Sequence, residues 1–280
     1  FEQAALESDP ERRRAMLTFT VVGGGPTGVE YAGALAELVR APLRKDFPEL
    51  DMNDVRVVLL EAATGVLGGF PERLRGYAKK RLGAMGVEVR LDASVAEVTA
   101  AGVLFASGEH LPTHTVVWTA GVRGEVVAEH MGLPLGRGGR VAVLPTLQVE
   151  GLPEVFVVGD MSLPEGQNPP MNAPNATQQG RLAAENILAM LQRRDPVPFR
   201  YRDKGAMATI GRQAAVVWMG NFAFSGFLAW LLWLFVHLAY LIGFRNRLIV
   251  LINWAWDYLF YERAVRLILP RRGCGTIDSR

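Results

Sequence analysis

The 280-residue sequence predicts an α/β fold built on a parallel sheet, followed by a C-terminal α-helical region. Short aliphatic runs alternate with longer segments of helical periodicity over residues 17–91, and a glycine-rich turn separates the first run from the first helix. In addition, residues 213–244 carry no formal charge. Alternating strand and helix patterns are typical of parallel sheets with crossover helices.

The N-terminal half predicts a β-α-β-α-β order, in which each strand is a short apolar run bounded by turn residues. The expected strands are Leu17–Val22, Val55–Leu60 and Val87–Leu91, and the expected helices are Pro26–Val39 and Pro71–Met85. Residues 92–118 contain the runs VAEV, VLFA and VVW between Gly- and Pro-containing turns, which predicts a small antiparallel insertion. Residues 1–14 are interpreted as the tail of a helix, so we expect the chain to lack a preceding portion.

The second half predicts fewer regular elements. The run VFVV at 155–158 is expected to be a buried strand that Gly159-Asp160 ends, and a helix is expected from about Asn175 to Gln192. Residues 196–202 are interpreted as a linker. A strand around Ala214–Met219 and two long hydrophobic helices are expected beyond it.

The charge distribution is uneven. The net charge is +2, but residues 196–280 contain 11 Lys and Arg against four Asp and Glu. A basic excess on a hydrophobic segment favours an anionic membrane surface over nucleic acid, and a solvated basic tail is the plainer alternative. The single cysteine excludes an internal disulfide, and the four histidines show no metal-ligand spacing, so we expect no metal site.

The segment 23–28, GGGPTG, satisfies G-x-G-x-x-G between a predicted strand and a predicted helix. Gly23 permits a tight turn, Gly25 lets the backbone approach a pyrophosphate, and Gly28 permits close packing of helix and strand. Pro26 and Thr27 begin the helix, whose N-terminus favours phosphate. The sequence therefore predicts a dinucleotide site, with a structural turn as the alternative.

Two glutamates adjoin this site in the sequence. Glu61 ends the second strand, where a carboxylate would bind ribose hydroxyls and repel a 2′-phosphate, which favours NADH over NADPH. It lies 33 residues after Gly28, and a loop insertion at 41–54 accounts for the long spacing. A solvated strand end is the alternative. For Glu30 in the first helix, a helix-dipole role and a role as nicotinamide contact or proton carrier are equally favoured.

The run Phe222–Ile242 has the length of a transmembrane helix. In helical projection, however, small residues and aromatics with polar tips share one face and aliphatic residues the other, which favours a helix lying in the membrane interface. Arg245 and Arg247 follow, where they could meet lipid phosphates, and a further helix is expected over Leu248–Leu269. His237 is expected to be a buried, satisfied histidine rather than a proton donor.

Six segments together resemble type II NADH:quinone dehydrogenases. They are GGGPTGVE (23–30), VWTAGVRG (117–124), VFVVGDMS (155–162), QQGRLAAENI (178–187), KGAMATIGR (204–212) and the hydrophobic run 225–248. The resemblance implies four parts: a remnant of an FAD-binding domain (1–16), a Rossmann-like NADH-binding domain (17–122), the C-terminal part of an incomplete FAD-binding domain (123–195), and a membrane-anchoring region (196–280).

The resemblance also implies roles for individual residues. Thr119, Ala120 and Gly121 would lie where nicotinamide stacks on the flavin, Gly159 and Asp160 would bind the FAD ribityl chain, and Lys204 would lie near the isoalloxazine. Where the family has an Ala-Gln pair, this chain has Ala173-Pro174. Because proline lacks an amide side chain and an N–H, we expect Gln178 to serve at the flavin and quinone instead.

The implied activity is transfer of electrons from NADH through FAD to a membrane quinone, by a peripheral (monotopic) protein on the cytoplasmic face of the cell membrane. The implied partners are the quinone and the bilayer surface, and a homodimer is left open. The alternatives are a sulfide:quinone or related flavin disulfide-type reductase, and a non-catalytic, membrane-attached NADH-binding fragment. Without the first nucleotide-binding unit, this chain is expected to bind flavin poorly.

Overall fold

The computed structural model describes residues 1–260, which divide into two units. The first contains residues 1–117, 208–216 and the described residues from 224 onward, and the second contains residues 118–207 and 217–223. The helices are α1 (Glu2–Leu6), α2 (Pro10–Met16), α3 (Pro26–Leu38), α4 (Arg44–Asp46), α5 (Glu72–Ala84), α6 (Val127–His130), α7 (Ala173–Leu191), α8 (Phe227–Tyr240) and α9 (Phe244–Phe260). The strands are β1 (Thr18–Val22), β2 (Arg56–Leu60), β3 (Val87–Arg90), β4 (Val95–Thr99), β5 (Gly102–Phe105), β6 (His110–Pro112), β7 (Thr115–Trp118), β8 (Val141–Val143), β9 (Gln148–Val149), β10 (Leu152–Phe156), β11 (Ser162–Pro164), β12 (Ala206–Thr209), β13 (Ala215–Met219) and β14 (Phe222–Gly226).

The main sheet of the first unit has the order β3-β2-β1-β7. Strand β2 pairs in parallel with both β1 and β3. The predicted β-α-β-α-β unit is confirmed, with bounds that differ from the expected ones by one residue. One assignment is wrong: the VVW run forms β7 beside β1 instead of a strand of the insertion. Its hydrophobicity suits either sheet, so the sequence pattern alone does not select the partner.

The antiparallel insertion is confirmed for the other two runs. Strands β4, β5 and β6 form a three-stranded antiparallel sheet. Its inner face packs on the main sheet through a cluster of buried aliphatic and aromatic side chains: Val22, Val58, Leu60, Val103, Phe105 and Leu111. Each fully buried side chain of this kind stabilises the fold by about 1.5–3 kcal/mol. This cluster therefore holds the carboxyl ends of β1 and β2 in place.

Residues 1–16 form two short helices, so the expectation of one continuing helix over 1–14 is wrong. The chain becomes extended at Glu7, and the Asp9 side chain caps α2 by accepting from the amide of Glu11 at 2.9 Å. Pro10 then occupies the first helical position, where proline is favoured. The ring of Phe1 stacks on Phe19 of β1 with centroids 5.4 Å apart.

Residues 41–54, expected to be a loop, are partly helical. Beyond α3 the backbone widens into a π-helical turn over Val39–Leu43 and continues into the three-residue helix α4. Only from Phe47 onward does the segment lack helical structure. The alternation of apolar and charged residues in this segment does not show helical periodicity, which is why the sequence predicted a loop.

The second unit has a core under α7. Its buried side chains are Ala128, Val141, Val143, Leu147, Val149, Ala183 and Phe199. Strand β10 pairs antiparallel with β9 and contains no buried residue, so the expected burial of this strand is wrong. Its expected bounds of 155–158 are wrong as well, because β10 begins at Leu152 and ends at Phe156, before Gly159-Asp160. In a two-stranded ribbon a strand keeps an open face, which explains the exposure of β10. Helix α7 is confirmed, and the Asn172 side chain caps it by accepting from the amide of Asn175 at 3.0 Å.

The C-terminal segment returns to the first unit. A loop between β12 and β13 packs on α3 so closely that a Cβ on Gly33 would lie 2.8 Å from the amide nitrogen of Gly211. The strand expected around Ala214–Met219 is confirmed as β13.

The expected helix over Phe222–Ile242 is wrong at its start, because residues 222–226 form β14 and the helix begins only at Phe227. The second expected helix is present as α9, and its part from residue 261 to Leu269 lies outside the described residues.

Helix α5 allows a simple test of these assignments. Gly76 is an exposed interior position of α5, and a Cβ there would meet nothing within 4 Å. Because glycine loses more backbone entropy than alanine in a helix, we expect Gly76→Ala to raise the free energy of unfolding by about 0.5–1 kcal/mol. Chemical denaturation of both proteins measures this change. An unchanged or lower stability would contradict the assignment of Gly76 to an open helix face.

Candidate nucleotide site and C-terminal surface

The glycine loop lies between the carboxyl end of β1 and the start of α3. The amide of Gly23 donates to the carbonyl of Leu60 at 2.8 Å, and its φ of +107° lies in the region that favours glycine. Gly25 precedes α3, Pro26 occupies its first turn, and no side chain caps this helix. An uncapped helix N-terminus at the carboxyl edge of a parallel sheet is suited to binding an anionic phosphate.

Adjacent glycines of this loop face different surroundings. A Cβ on Gly25 would meet no protein atom within 4 Å, and its φ of −68° is accessible to any residue. A Cβ on Gly24, in contrast, would lie 2.8 Å from a carboxylate oxygen of Glu61. Packing against Glu61 therefore favours glycine at position 24, whereas packing within the protein does not explain the glycine at position 25.

Glu61 stands directly beside the loop. Its Oε2 accepts from the amide of Gly24 at 2.6 Å and its Oε1 accepts from the amide of Ala63 at 2.8 Å. The side chain of Glu61 is half-buried, and its carboxylate lies beside the glycine loop that contains Gly25. The interpretation of Glu61 as a solvated strand end does not fit these contacts, whereas its contact to ribose stays a prediction.

Glu30, in the second turn of α3, contacts residues that are distant in sequence. One carboxylate oxygen accepts from the amide of Thr209 at 2.9 Å and from its hydroxyl at 3.3 Å. Burial raises the pKa of Glu30, and the bonds from Thr209, the charge of His237 and a hydrogen bond from Trp233 offset part of that rise. Glu30 therefore holds a proton more tightly than an exposed glutamate does.

The raised pKa of Glu30 has a consequence for stability. The stability contributed by the proton is fully present below the ordinary glutamate value and is lost as the pH rises through the raised pKa of the folded state. For Glu30→Gln, which cannot ionise, we expect the melting temperature relative to the parent protein to increase from pH 5 to pH 8. Thermal unfolding of both proteins across this range checks the sign. A difference that stays constant with pH would contradict the raised pKa.

His237 is exposed, so the expectation of a buried histidine is wrong. Its ring stacks on Trp233 with centroids 3.8 Å apart, and its Nδ1 lies 2.8 Å from the carbonyl oxygen of Trp233. Trp233 also lies 6.2 Å from Trp254 of α9, measured between ring centroids. This aromatic group connects Glu30 to the surface of α8.

The second unit contains the turn Gly159–Met161, which holds Gly159 and Asp160. Gly159 has a φ of +72°, and its amide donates to the side-chain oxygen of Gln179 at 2.6 Å. Gln179 is fully buried and is held in turn by a bond to Asn175 at 3.1 Å. The Asp160 carboxylate is exposed beside this fixed turn, where its oxygens could accept from the hydroxyls of a ligand.

Gln178 connects the first turn of α7 to the segment before Lys204. Its amide nitrogen donates to the carbonyls of Pro174 and Arg202, and its oxygen accepts from the amide of Arg202 at 3.0 Å. Lys204 is exposed, and the following Gly205 has a φ of +91° with the carbonyl of Trp218 against it. The structure thus bonds Gln178 to the main chain of Pro174 and of Arg202, two residues before Lys204.

Residues Thr119, Ala120 and Gly121 form a tight turn in the second unit. The amide of Gly121 donates to the carbonyl of Thr119 at 2.9 Å, and Gly121 has a φ of +91°. A Cβ on Gly121 would meet nothing within 4 Å, and Ala120 is exposed. The turn is therefore a small, open surface, as close approach of a planar ring requires.

Three residues at these sites were not singled out by the sequence. Gln179 positions Gly159, Thr209 binds Glu30, and the buried Arg140 donates to the carbonyl of Pro169 and to the Asn168 side chain in the loop before α7. Gln179 sits beside Gln178 in the motif, so the motif could have suggested it. Thr209 and Arg140 carry no local signal, because their partners are distant along the chain.

Helices α8 and α9 present a continuous set of exposed apolar side chains. Those on α8 are Phe227, Leu228, Leu231 and Phe235, and those on α9 include Leu248, Leu251 and Ile252. Ala229 faces inward and is fully buried, while the Trp230 ring lies 6.0 Å from that of Tyr258. The predicted division into an aliphatic face and an aromatic face is present only in part, because His237 and Tyr240 of the aromatic face are exposed as well. Within residues 1–260, no helix combines the length and apolar character needed to cross a bilayer.

Comparison with known proteins identifies two family matches. Residues 2–180 match the model of the pyridine nucleotide-disulphide oxidoreductases, and residues 204–262 match the NDH2 C-terminal domain. Type II NADH:quinone oxidoreductase Ndh of Mycobacterium tuberculosis is 44% identical over 94% of this chain, and NdhA of the same organism is 41% identical over all of it. The chain spans 59% and 64% of the length of these two relatives.

The fold also has solved counterparts. The structure of NDH2 from Plasmodium falciparum in complex with NADH superposes with a TM-score of 0.85, over 95% of this chain and 70% of that one, at 15% sequence identity. At that identity the likeness concerns the fold alone. The two family matches and the M. tuberculosis relatives confirm the resemblance to type II NADH:quinone oxidoreductases drawn from the motifs. The chain belongs to the pyridine nucleotide-disulphide oxidoreductase family, and its C-terminal residues match the NDH2 C-terminal domain.

Proposed function

We propose that this chain supplies the NADH-binding and C-terminal parts of an FAD-dependent enzyme that transfers electrons from NADH to a membrane quinone. The observation that carries the proposal is the open space at Gly25, at an uncapped helix N-terminus beside the carboxylate of Glu61. The two M. tuberculosis relatives are named type II NADH:quinone oxidoreductases, which supports NADH and a quinone as the substrates. The bound flavin supplies the redox chemistry, and the protein supplies position and electrostatics.

For the nucleotide, we assign Gly23, Gly25 and Gly28 to the pyrophosphate, with Pro26 and Thr27 in the first helical turn. Glu61 would accept from the adenosine ribose hydroxyls while it keeps its bond to Gly24. A 2′-phosphate at the same place would repel this carboxylate, so the assigned nucleotide is NADH. The fixed position of Glu61, bonded through both oxygens, supports this choice.

For FAD, we assign Gly159 and Asp160 to the ribityl chain and Lys204 to the isoalloxazine. The fixed turn around Gly159 and the exposure of Asp160 and Lys204 support the assignment. Thr119, Ala120 and Gly121 would offer the small surface on which nicotinamide and flavin stack. Further contacts are assigned to Ala173 and Pro174 at the start of α7.

Two side chains are assigned roles at the reacting groups. Glu30 would carry a proton, a role that its raised pKa supports because burial lets this carboxyl group keep a proton at a higher pH than an exposed glutamate does. Gln178 would contact flavin or quinone. Since its amide is bonded to Arg202 and Pro174, this role requires Gln178 to exchange one of those bonds for the ligand.

The four-part division predicted from the sequence is retained in this proposal. Residues 17–122 would form the NADH-binding domain, residues 1–16 and 123–195 would belong to the FAD-binding domain, and residues 196–280 would form the membrane-associated region. The packing of residues 1–16 on β1 adds a structural role for this segment, because it covers Phe19 and Leu17.

We assign the exposed apolar side chains of α8 and α9 to a monotopic contact with the cytoplasmic face of the cell membrane. Arg245 and Arg247 are exposed at the start of α9. Because the N-terminus of a helix carries a partial positive charge, a lipid phosphate there would be attracted by the helix as well as by the two guanidinium groups. An apolar surface of this extent is unusual on a soluble monomer and supports a lipid partner.

Anaerobic absorption spectroscopy of the full-length protein tests the proposal. We expect a flavin band at about 450 nm that bleaches with NADH and returns when a soluble quinone is added. A band that bleaches but does not return would overturn the quinone assignment, and a band that bleaches with sulfide but not NADH would favour the sulfide-dependent alternative. Absence of the band would leave a nucleotide-binding membrane protein without a flavin reaction.

A further inference from the structure

We propose that a cleft at the amino-terminal edge of the main sheet binds an amphiphilic anion, namely a single acyl chain that ends in a carboxylate. The cleft has a volume of about 510 Å³ and lies between the end of α3, the segment around residues 52–57 and the turn before β3. Because Val57 lies at the start of β2 and Gly86 precedes β3, the cleft is at the opposite edge of the parallel sheet from the glycine loop. This site goes beyond the proposed electron transfer and does not depend on it.

The floor of the cleft is apolar. Ala36, Val39, Val57 and Met85 line it and are buried in the fold, and Val55 lines it half-exposed. The volume lies within the range of small-molecule sites, which are mostly apolar with a few polar groups that fix orientation. Such a floor favours a hydrocarbon body over a fully hydrated ion.

The rim of the cleft is cationic. Arg40 and Arg44 line it four residues apart in continuous helical structure, so their side chains lie on one side of the chain. Within residues 1–260, the hydrogen bonds of Arg40 are two long ones of 3.4 and 3.5 Å to the carbonyl of Ala84. Among the described residues that line the cleft there is no Asp or Glu. Two guanidinium groups without a lining carboxylate favour an anionic head group, which arginine binds in a bidentate geometry.

The backbone at this rim is unusual as well. The five residues Val39–Leu43 form a π-helical turn, which is rare and occurs often at functional sites. The turn contains Val39 and Arg40, which line the cleft, and it ends directly before Arg44. Two independent features, an apolar cavity with a cationic rim and a π-helical turn beside it, therefore coincide at one place that the nucleotide site does not use.

A carboxylate and a lipid phosphate share the chemistry that the arginines recognise. A cleft of this size accommodates one short chain more readily than a two-chain lipid. We therefore commit to a single acyl chain and, for its head group, to the carboxylate, which is the smaller of the two anions. The test uses the full-length protein in nanodiscs of phosphatidylcholine and measures octanoate binding by isothermal titration calorimetry. Octanol, octyl phosphate and inorganic phosphate serve as comparison probes.

We expect octanoate to bind at least tenfold more tightly than octanol or inorganic phosphate, and Arg44→Gln and Arg40→Gln each to weaken it at least tenfold. Lys45→Gln is the matched control, because it removes the same charge from the next position outside the cleft and should leave binding unchanged. Val55→Phe should abolish binding by filling the cleft. Because Val55 also packs beside Leu17 and Leu50, the melting temperature of this variant is measured alongside. Arg44 is exposed, so Arg44→Gln keeps the test decisive if Val55→Phe lowers the stability.

Several results would overturn the proposal. If octanol binds as tightly as octanoate, the cleft does not recognise an anionic head group. If inorganic phosphate binds as tightly, the cleft does not recognise the acyl chain. Tighter binding of octyl phosphate than of octanoate would assign the cleft to a lipid phosphate. Unchanged octanoate binding in both Val55→Phe and Arg44→Gln would place the ligand elsewhere.

Discussion

Gly25→Val is expected to reduce NADH affinity at least a hundredfold while leaving the fold intact. A Cβ at this position would meet no protein atom within 4 Å and the backbone conformation suits valine, so we expect a change in unfolding free energy within about 0.5 kcal/mol. The pyrophosphate, however, would lose its close contact with main-chain N–H groups. Each charge-assisted hydrogen bond contributes about 1.5–3 kcal/mol, so loss of two explains the expected factor.

The measurement compares the KM for NADH and the melting temperature of parent and variant, with the flavin spectrum as a check of the second nucleotide site. Gly83→Ala is the control, because Gly83 is exposed at the end of α5 and a Cβ there also meets nothing within 4 Å. We expect this control to leave the KM unchanged. A variant at Gly25 that keeps the parent's KM would rule out the glycine loop as the NADH pyrophosphate site.

Replacing Leu228, Leu231 and Phe235 together by aspartate is expected to weaken binding to anionic vesicles at least a hundredfold. These side chains are 70%, 43% and 68% exposed, so their loss removes little packing within the protein. In a membrane interface each apolar side chain contributes about 1–2 kcal/mol, and three such losses exceed the roughly 2.7 kcal/mol that corresponds to a hundredfold change.

Cosedimentation with vesicles measures this effect, and NADH oxidation by a water-soluble acceptor checks that the nucleotide site is intact. The control adds the same three charges to exposed positions of the antiparallel sheet β4-β5-β6 by Val98→Asp, Ala101→Asp and Ser107→Asp, the last in the turn between β5 and β6. It separates loss of apolar surface from a change in net charge. If the α8 variant cosediments like the control, helix α8 is not the membrane contact.

The local parts of this structure could be predicted from the sequence. Strand β1, the glycine loop and α3 follow directly from a run of aliphatic residues, three glycines and Pro26, since each feature depends on neighbours within a few residues. The pairing of β7 could not be predicted, because the hydrophobic pattern of VVW suits either sheet. Strand β14 was missed for a similar reason: its residues are as apolar as those of the helix that follows.

The site residues likewise divide into those that a local sequence pattern reveals and those that depend on distant segments of the chain. Glu61 was found because it ends a predicted strand near the glycine loop, but its bond to Gly24 was not predicted. The surroundings of Glu30 depend on Thr209 and Trp233, which no local pattern connects to it. The cleft beside Arg40 was missed entirely, because it combines three segments and a backbone widening that has no sequence signature.

The contact between α3 and the loop that carries Thr209 affects how the protein is made. The bond between Glu30 and Thr209 spans 179 residues, and Gly33 touches the same returning segment. At typical rates of translation, about 10 to 35 seconds separate the synthesis of these two halves. In the later part of that interval, the strands β1, β2 and β3 have been synthesised, but the side of α3 that contacts Thr209 still has no partner. A ribosome-bound intermediate with a bare α3 is thus built into the order of the chain, and it is the stage at which chaperones or proteases would act on this protein.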